Sequence, residues 1–304
     1  MIARDGIGHR FSVLDSASAS LGEFSFYRRP QFPSTAERMQ LYEREAPELA
    51  SRAIAGLPDI SGITHMVVAS CTGFMAPGLD QVLARRFDLS PSVERIFIGF
   101  MGCYAGVTAL RTAAHLVRSQ PGARVLVVCA ELCTLHLQPT NDLESLLAMA
   151  QFADGAAAAL VTDEGPGLAL GQGVSLTLDD SADLITWTVG DTGFAMHLSG
   201  AVPGRLAETL SSEDVRAQIG SPAEWAVHPG GRSILDAVER GLNLPQDALA
   251  DSRAVLQAFG NMSSATVLYV LERMLSRRPP SGIALAFGPG LAMEGLHFGW
   301  TDAG

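Results

Sequence analysis

From Ile63 onward the chain alternates short apolar runs with amphipathic stretches of helical period, and no other feature constrains the fold as tightly. It is the pattern of a sheet whose strands are joined by crossover helices, which places the chain in the α/β class. Strands are predicted at His65 to Ser70, Arg95 to Gly99, Arg124 to Ala130 and Gly155 to Thr162. Helices are predicted between them, near Gly78 to Phe87, Tyr104 to Arg118 and Leu143 to Gln151.

The turn cluster Asp163-Glu164-Gly165-Pro166-Gly167 then divides the chain into two halves, 1–164 and 165–304. A length of 304 residues lies near the upper limit for one core, consistent with two fused halves. The second half is predicted to carry strands at Leu168 to Leu178, Leu184 to Val189 and Trp225 to Val227, closing with a pair at Gly282 to Phe287 and Glu294 to Trp300. Its helices are expected at Pro203 to Leu210, Glu213 to Ile219, Ser233 to Gly241, Asp247 to Phe259 and Ser263 to Arg277. The halves are alike in element order and not in sequence, so duplication rests on topology alone.

Charge and residue usage exclude several functions. Acidic side chains outnumber basic ones by 32 to 21, which argues against general nucleic-acid binding. All the basic residues are Arg, and without Lys neither Schiff-base catalysis nor a P-loop phosphate lysine is available. An anionic substrate must therefore meet Arg. No run approaches the roughly 18 apolar residues of a membrane span. Arg4, Asp5, His9 and Arg10 occupy the place of a signal-peptide core, so a cytoplasmic protein is expected. Cys71, Cys103, Cys129 and Cys133 have no framework spacing and read as reduced thiols. Cys129 and Cys133 with His136 do not make a zinc knuckle, and no metal is expected.

Three segments carry chemistry. In Phe100-Met101-Gly102-Cys103-Tyr104-Ala105-Gly106 a cysteine stands between a strand end and a helix start, where amides and the helix dipole favour thiolate and lower the thiol pKa. The alternative is a buried Cys at a tight turn. In Trp225-Ala226-Val227-His228-Pro229-Gly230-Gly231 an apolar strand stops at a histidine, at the strand edge where α/β proteins place ligands. The alternative is a core His with its bonds satisfied. In Phe259-Gly260-Asn261-Met262-Ser263-Ser264-Ala265 an asparagine opens a helix, which an ordinary N-cap also explains. Considered together, Cys103, His228 and Asn261 are a nucleophile, a proton partner and an amide donor, the set that acyl-thioester chemistry needs. A hydrolytic Cys-His-Asn site is the formal rival.

In these motifs the chain resembles the type III polyketide synthases, the chalcone and stilbene synthase family. G-C-Y-A-G around Cys103, W-A-V-H-P-G-G-R-S-I-L-D around His228, G-N-M-S-S-A around Asn261 and F-G-P-G-L at Phe287 to Leu291 stand in family order. R-V-L-V-V-C-A-E-L from Arg124 and F-A-D-G-A-A-A from Phe152 match as well. The resemblance implies a thiolase-like fold, two similar halves layered α/β/α/β/α, in a homodimer. It implies that Cys103 loads an acyl starter from an acyl-CoA, while His228 and Asn261 bind malonyl-CoA and stabilise the enolate left by decarboxylation. Iterative Claisen condensation and cyclisation to a small aromatic or pyrone product follow, with coenzyme A thioesters as substrates and no further cofactor. Phe152 is similar to the gatekeeper aromatic of the family.

Other positions depart from the family pattern. Met196 stands where a second gatekeeper Phe is usual, and Ala153 replaces a Gly of the cyclisation pocket. Cys133 and His136 replace hydroxyl-bearing cavity residues, while Cys71 is similar to a second cavity cysteine of some bacterial members. Ala76 precedes Pro77 where many members carry a Met that reaches the partner subunit. Of the basic residues that hold CoA phosphates in the family, Arg4 is the matched one, with Arg28, Arg29 and Arg232 as substitutes. The chain also begins after a family strand taken to lie inside the first sheet, so either the sheet is a strand short, with unpaired ladder groups and bare apolar surface in its middle, or something else fills that place, or the start codon is misassigned. Two rivals accompany the main reading. One is a ketosynthase III that condenses once with a carrier protein, although the His-Pro-Gly-Gly at His228 argues against it. The other is a truncated, non-catalytic relative that serves as a binding partner.

Overall fold

A computed structural model of the chain describes residues 6–14, 26–27 and 32–302. The first half runs α1 (Thr35–Ala55), β1 (His65–Ser70), α2 (Leu79–Arg86), β2 (Glu94–Gly99), α3 (Ala105–Ser119), β3 (Val125–Leu132), α4 (Leu143–Met149) and β4 (Asp154–Val161). Next come β5 (Gly167–Thr177), β6 (Ile185–Gly190), β7 (Gly193–Leu198), α5 (Val202–Ser211), α6 (Glu213–Ile219) and β8 (Glu224–Val227). The chain closes with α7 (Arg232–Leu242), α8 (Ala250–Phe259), α9 (Thr266–Leu275), β9 (Gly282–Gly288) and β10 (Ala292–Thr301).

Helix α1 and strand β7 are the elements that the sequence reading left out. The start of α1 is nonetheless written locally: Ser34 and Glu37 form a reciprocal capping box. Pro47 in the middle of the helix breaks the pattern and masks its length. Strand β7 is short and, among the described residues, pairs only with β6, in a two-stranded hairpin that joins neither large sheet.

The first sheet has the order β2-β1-β3-β4, the first three strands parallel and β4 antiparallel to β3. The second has the order β5-β10-β9-β8, with β8 and β9 parallel and the remaining pairs antiparallel. A common unit recurs, a parallel pair followed by an antiparallel strand: β1, β3 and β4 in one sheet, β8, β9 and β10 in the other.

Alternation along β1 divides the core. Val67 and Ala69 face α3 and α9, which lie between the sheets, while Met66 and Val68 face α1 and α2 outside. Helices α5, α6, α7 and α8 cover the outer face of the second sheet. Buried on both faces, β1 and β3 are near-continuous apolar runs, as parallel strands must be. Each fully buried Val, Leu or Ile side chain there contributes about 1.5 to 3 kcal/mol over an exposed one.

The expected gap inside the first sheet is not there. Strand β1 pairs directly with β3, His65 to Ala69 against Val125 to Cys129, so the middle of the ladder is complete. Among the described residues the edge strands are β2 and β4. At the start of β4 the Asp154 N–H donates to Phe11 O, and the Val13 N–H donates to the Asp154 carboxylate.

Candidate active site

The Cys103 turn is built by its neighbours. Phe100 and Gly102 both adopt left-handed backbone angles, φ 59° and 80°, which reverse the chain between β2 and α3. At Gly102 a Cβ would lie 2.4 Å from Pro289 Cδ, so no side chain fits. At Gly106 a Cβ would lie 2.2 Å from Ser264 O, which lets α3 touch the segment that follows Asn261. The two glycines of G-C-Y-A-G thus allow the nucleophile's turn to meet the second half.

His228 continues the β8 ladder by one residue, its N–H donating to Leu285 O at 2.7 Å. The side chain is buried, and neither ring nitrogen has a hydrogen-bond partner among the described residues. An unpartnered buried imidazole is rare in a settled core and marks a group held for a ligand. Asn261 is fixed on both sides: its Oδ1 accepts from the Ser263 N–H at 2.8 Å, and its Nδ2 donates to Gly230 O at 3.1 Å. One amide hydrogen remains for the cavity. The Cys103 thiol donates to Asn261 Oδ1, with Sγ 4.0 Å from the oxygen.

All three side chains line one cavity of about 310 Å³. Phe152, Met196, Cys71 and Cys133 line it too, together with Met149, Trp187, His136 and Ser263. Ala153 does not: it stands one residue ahead of β4, fully buried in the core between the sheets, its N–H bonded to Asn261 O. Cys129 is likewise a core residue between the sheets, whereas Cys133 lines the cavity. Arg4, Arg28 and Arg29 lie outside the described residues. Arg232 starts α7 on the surface, 3.7 Å from Asp236.

The electrostatics correct one expectation. Cys103 lies two residues ahead of the first helical residue of α3, and burial pushes its thiol up to about 11, helped by the nearby Glu131 charge; bonds to Ser263 and Asn261 only partly oppose this. Burial also drives the His228 imidazole down, to about 3. The resting pair is a neutral thiol and a neutral imidazole, since the low dielectric outweighs the helix terminus.

Three residues to which the sequence reading gave no role shape the site. Glu131, at the inner end of β3, is buried with its carboxyl raised to about 7 by desolvation. Its oxygens accept from the Cys71 N–H, the Thr72 hydroxyl and the Ser264 hydroxyl, so it joins the loop after β1 to the Asn261 segment. Trp187 donates to Cys71 O at 2.8 Å. Arg10 donates to the carbonyls of Met149 and Phe152, beside the cavity wall. An acid buried within an apolar strand was the one signal of these in the sequence.

Known proteins resemble this chain over nearly its whole length. Residues 20–165 match the family model of the chalcone and stilbene synthase N-terminal domain, and residues 169–299 that of the C-terminal domain. The alpha-pyrone synthesis polyketide synthase-like protein Pks18 of Mycobacterium tuberculosis is 35% identical over 300 residues, covering 91% of this chain and 76% of the relative. The crystal structure of PKS-I from the brown alga Ectocarpus siliculosus superposes with a TM-score of 0.88 at 31% identity, over 98% of this chain and 87% of the other. The C-terminal type III polyketide synthase domain of Steely1 from Dictyostelium gives 0.86 at 29% identity, with the same coverage.

Proposed function

Because the chain belongs to the chalcone and stilbene synthase family of type III polyketide synthases, we propose that it condenses malonyl-CoA with an acyl starter held on Cys103 and releases a small pyrone or aromatic polyketide. The observation that carries this reading is the convergence of Cys103, His228 and Asn261, from three distant segments, on one cavity.

The chemistry follows from the resting protonation states. As the Cys103 sulfur attacks the thioester carbonyl, its proton passes to the free nitrogen of His228, and the departing CoA sulfur takes a proton in turn. Malonyl-CoA then loses carbon dioxide, and the enolate oxygen is held by His228 and by the spare amide hydrogen of Asn261. The enolate carbon attacks the acyl carbon on Cys103, a carbon–carbon bond forms and the thiolate leaves. Phe152 and the apolar lining exclude water, which would otherwise protonate the enolate. Arg10 and Arg232 are the cations this reading assigns to the CoA phosphates.

Two copies of the chain associate in this reading. Edge strand β2 exposes Ile96 and Phe97, and Phe74 beside them is also exposed. An apolar edge with open ladder groups calls for a covering strand, and a second β2 across a two-fold supplies one. Among the described residues no helix is long and apolar enough to cross a membrane.

The test is incubation of the protein with malonyl-CoA alone and then with a panel of acyl-CoAs, with products identified by mass. Condensation without any carrier protein is expected. A requirement for carrier protein would favour the single-condensation rival.

A further inference from the structure

Helix α3 follows Cys103 directly and runs through the apolar core between the sheets, where its Leu110 and Ala113 share one cluster with Val67 of the first sheet and Ala286 of the second. Apolar burial is non-directional: it holds a helix close to a sheet more firmly than it fixes where the helix stands along its own axis. That axial position decides where the sulfur stands. At the Cys103 end the fixings are contacts of shape. The Pro289 ring closes on Gly102, and the Tyr104 ring lies against Gly288, where a Cβ would be 2.7 Å from Tyr104 Cδ1. Two turns further along α3 stands a directed contact. Arg111 Nη1 lies 2.5 Å from Oε2 of Glu294, a buried residue of β10. The other oxygen, Oε1, accepts from the Ser175 hydroxyl of β5 at 2.7 Å. The carboxylate is thus held by the helix on one oxygen and by the sheet on the other. Among the described residues Oε2 has no hydrogen-bond partner beyond this ion pair. The Arg111 stem passes over Gly173 of β5, where a Cβ would lie 2.6 Å from its Cδ. Glu294 follows Pro289 on the same turn and strand, so the segment that closes on Gly102 also carries the anchor of α3.

We propose that Arg111 is a positioning residue for Cys103: paired with Glu294, it fixes the axial position of α3 against the second sheet and so keeps the sulfur in register with His228 and Asn261. The inference rests on the synthase reading for its catalytic consequence, and on the contacts alone for its physical content. The pair's worth is register and not stability, because removing two charges from water offsets most of their attraction, whereas a charged contact made at one place only marks that place.

The test separates register from stability. Arg111→Met combined with Glu294→Met removes both charges and keeps unbranched side chains, so thermal unfolding should stay near that of the wild type. Formation of the Cys103 acyl-enzyme from a panel of acyl-CoAs, read by intact mass, should slow about tenfold in this double variant. Carbon dioxide release from malonyl-CoA, which draws on His228 and Asn261, should stay within about twofold. Glu294→Gln, which keeps an acceptor for Arg111 and for Ser175, should acylate within about threefold of the wild type. In hydrogen exchange, amides of residues 103–108 should exchange about tenfold faster in the double variant. Wild-type acylation in the folded double variant would overturn the proposal, and so would an equal loss of acylation and decarboxylation, the mark of general loosening. If the double variant does not fold, Glu294→Met alone replaces it, since Arg111 is partly exposed and can turn to water; wild-type acylation there overturns the proposal equally. Should the wild type form no acyl-enzyme from any acyl-CoA, the synthase reading falls, and unchanged exchange at residues 103–108 then overturns the proposal by itself.

Discussion

Phe152 and Asn261 face each other in an isolated parallel β-bridge, with the Asn261 N–H donating to Gln151 O at 2.9 Å and the Ala153 N–H to Asn261 O at 2.8 Å. The bridge fastens a wall residue of the first half to the residue of the second half whose amide meets the Cys103 sulfur. The cavity therefore exists only when the halves are docked, and chemistry and assembly share the same contacts.

Cys103→Ala should abolish polyketide product and leave carbon dioxide release from malonyl-CoA measurable, because the enolate donors His228 and Asn261 remain. Product mass spectrometry and a decarboxylation assay check this. Equal product from variant and wild type would remove Cys103 from the mechanism.

Asn261→Ala removes the carboxamide while leaving the bridge backbone in place. Loss of a positioned donor to a developing oxyanion costs about 10²–10³ in rate, so decarboxylation should fall by that factor. The Ser263 N–H and Gly230 O lose their partner as well, lowering stability by about 1 to 3 kcal/mol. Steady-state kinetics and urea unfolding read the two effects separately.

Gly106→Ala should be far more damaging than an exposed Gly-to-Ala change in a helix, which is normally stabilising. The new methyl would sit 2.2 Å from the Ser264 carbonyl, a backbone atom that cannot turn aside. Helix α3 must move away, at a cost of about 1 to 3 kcal/mol or more. Thermal unfolding measures it, and a wild-type Tm would show that the contact can relax.

The histidines predict an acid limit. His136 and His228 have folded pKa values of about 4 and about 3, below the unfolded value of about 6.5. As pH falls below that value the unfolded chain takes up protons that the folded one refuses, so stability falls. Each histidine contributes a slope of about 1.4 kcal/mol per pH unit, complete once pH has dropped through its folded value. Glu131, raised to about 7, acts oppositely: between its unfolded value of about 4.3 and pH 7 the folded state holds the extra proton, and stability falls as pH rises. Asp154, its carboxyl also raised by burial, acts in the same direction as Glu131, so the loss owed to the histidines is read as the difference between variant and wild type. His136→Phe should flatten that loss by about 1.4 kcal/mol per unit in urea titrations run between about pH 6 and 4.

Phe97→Glu places a charge on the open edge of β2 and should shift the protein from dimer to monomer in analytical ultracentrifugation. A monomeric wild type would remove the proposed two-fold pairing of β2.

The helix and strand positions were readable wherever a local pattern ran unbroken. Glu213 to Ile219 coincides with α6, and His65 to Ser70 with β1. Where the pattern was interrupted, as by Pro47 in α1, it misled. The motifs around Cys103, His228 and Asn261 singled out three side chains that the fold brings to one cavity, because nucleophile, base and amide are identities that a sequence states outright. Their protonation was misjudged. A helix terminus is visible locally, whereas the surroundings that lift the Cys103 thiol are drawn from segments on both sides of it in the chain, the end of β3 with Glu131 and the Asn261 segment among them. The completeness of the first sheet between β1 and β3 and the exclusion of Ala153 from the cavity have the same origin. Residue type and period are properties of neighbours in sequence; dielectric, register and cavity depth are properties of neighbours in space, and they came into being only when the two sheets closed on α3 and α9.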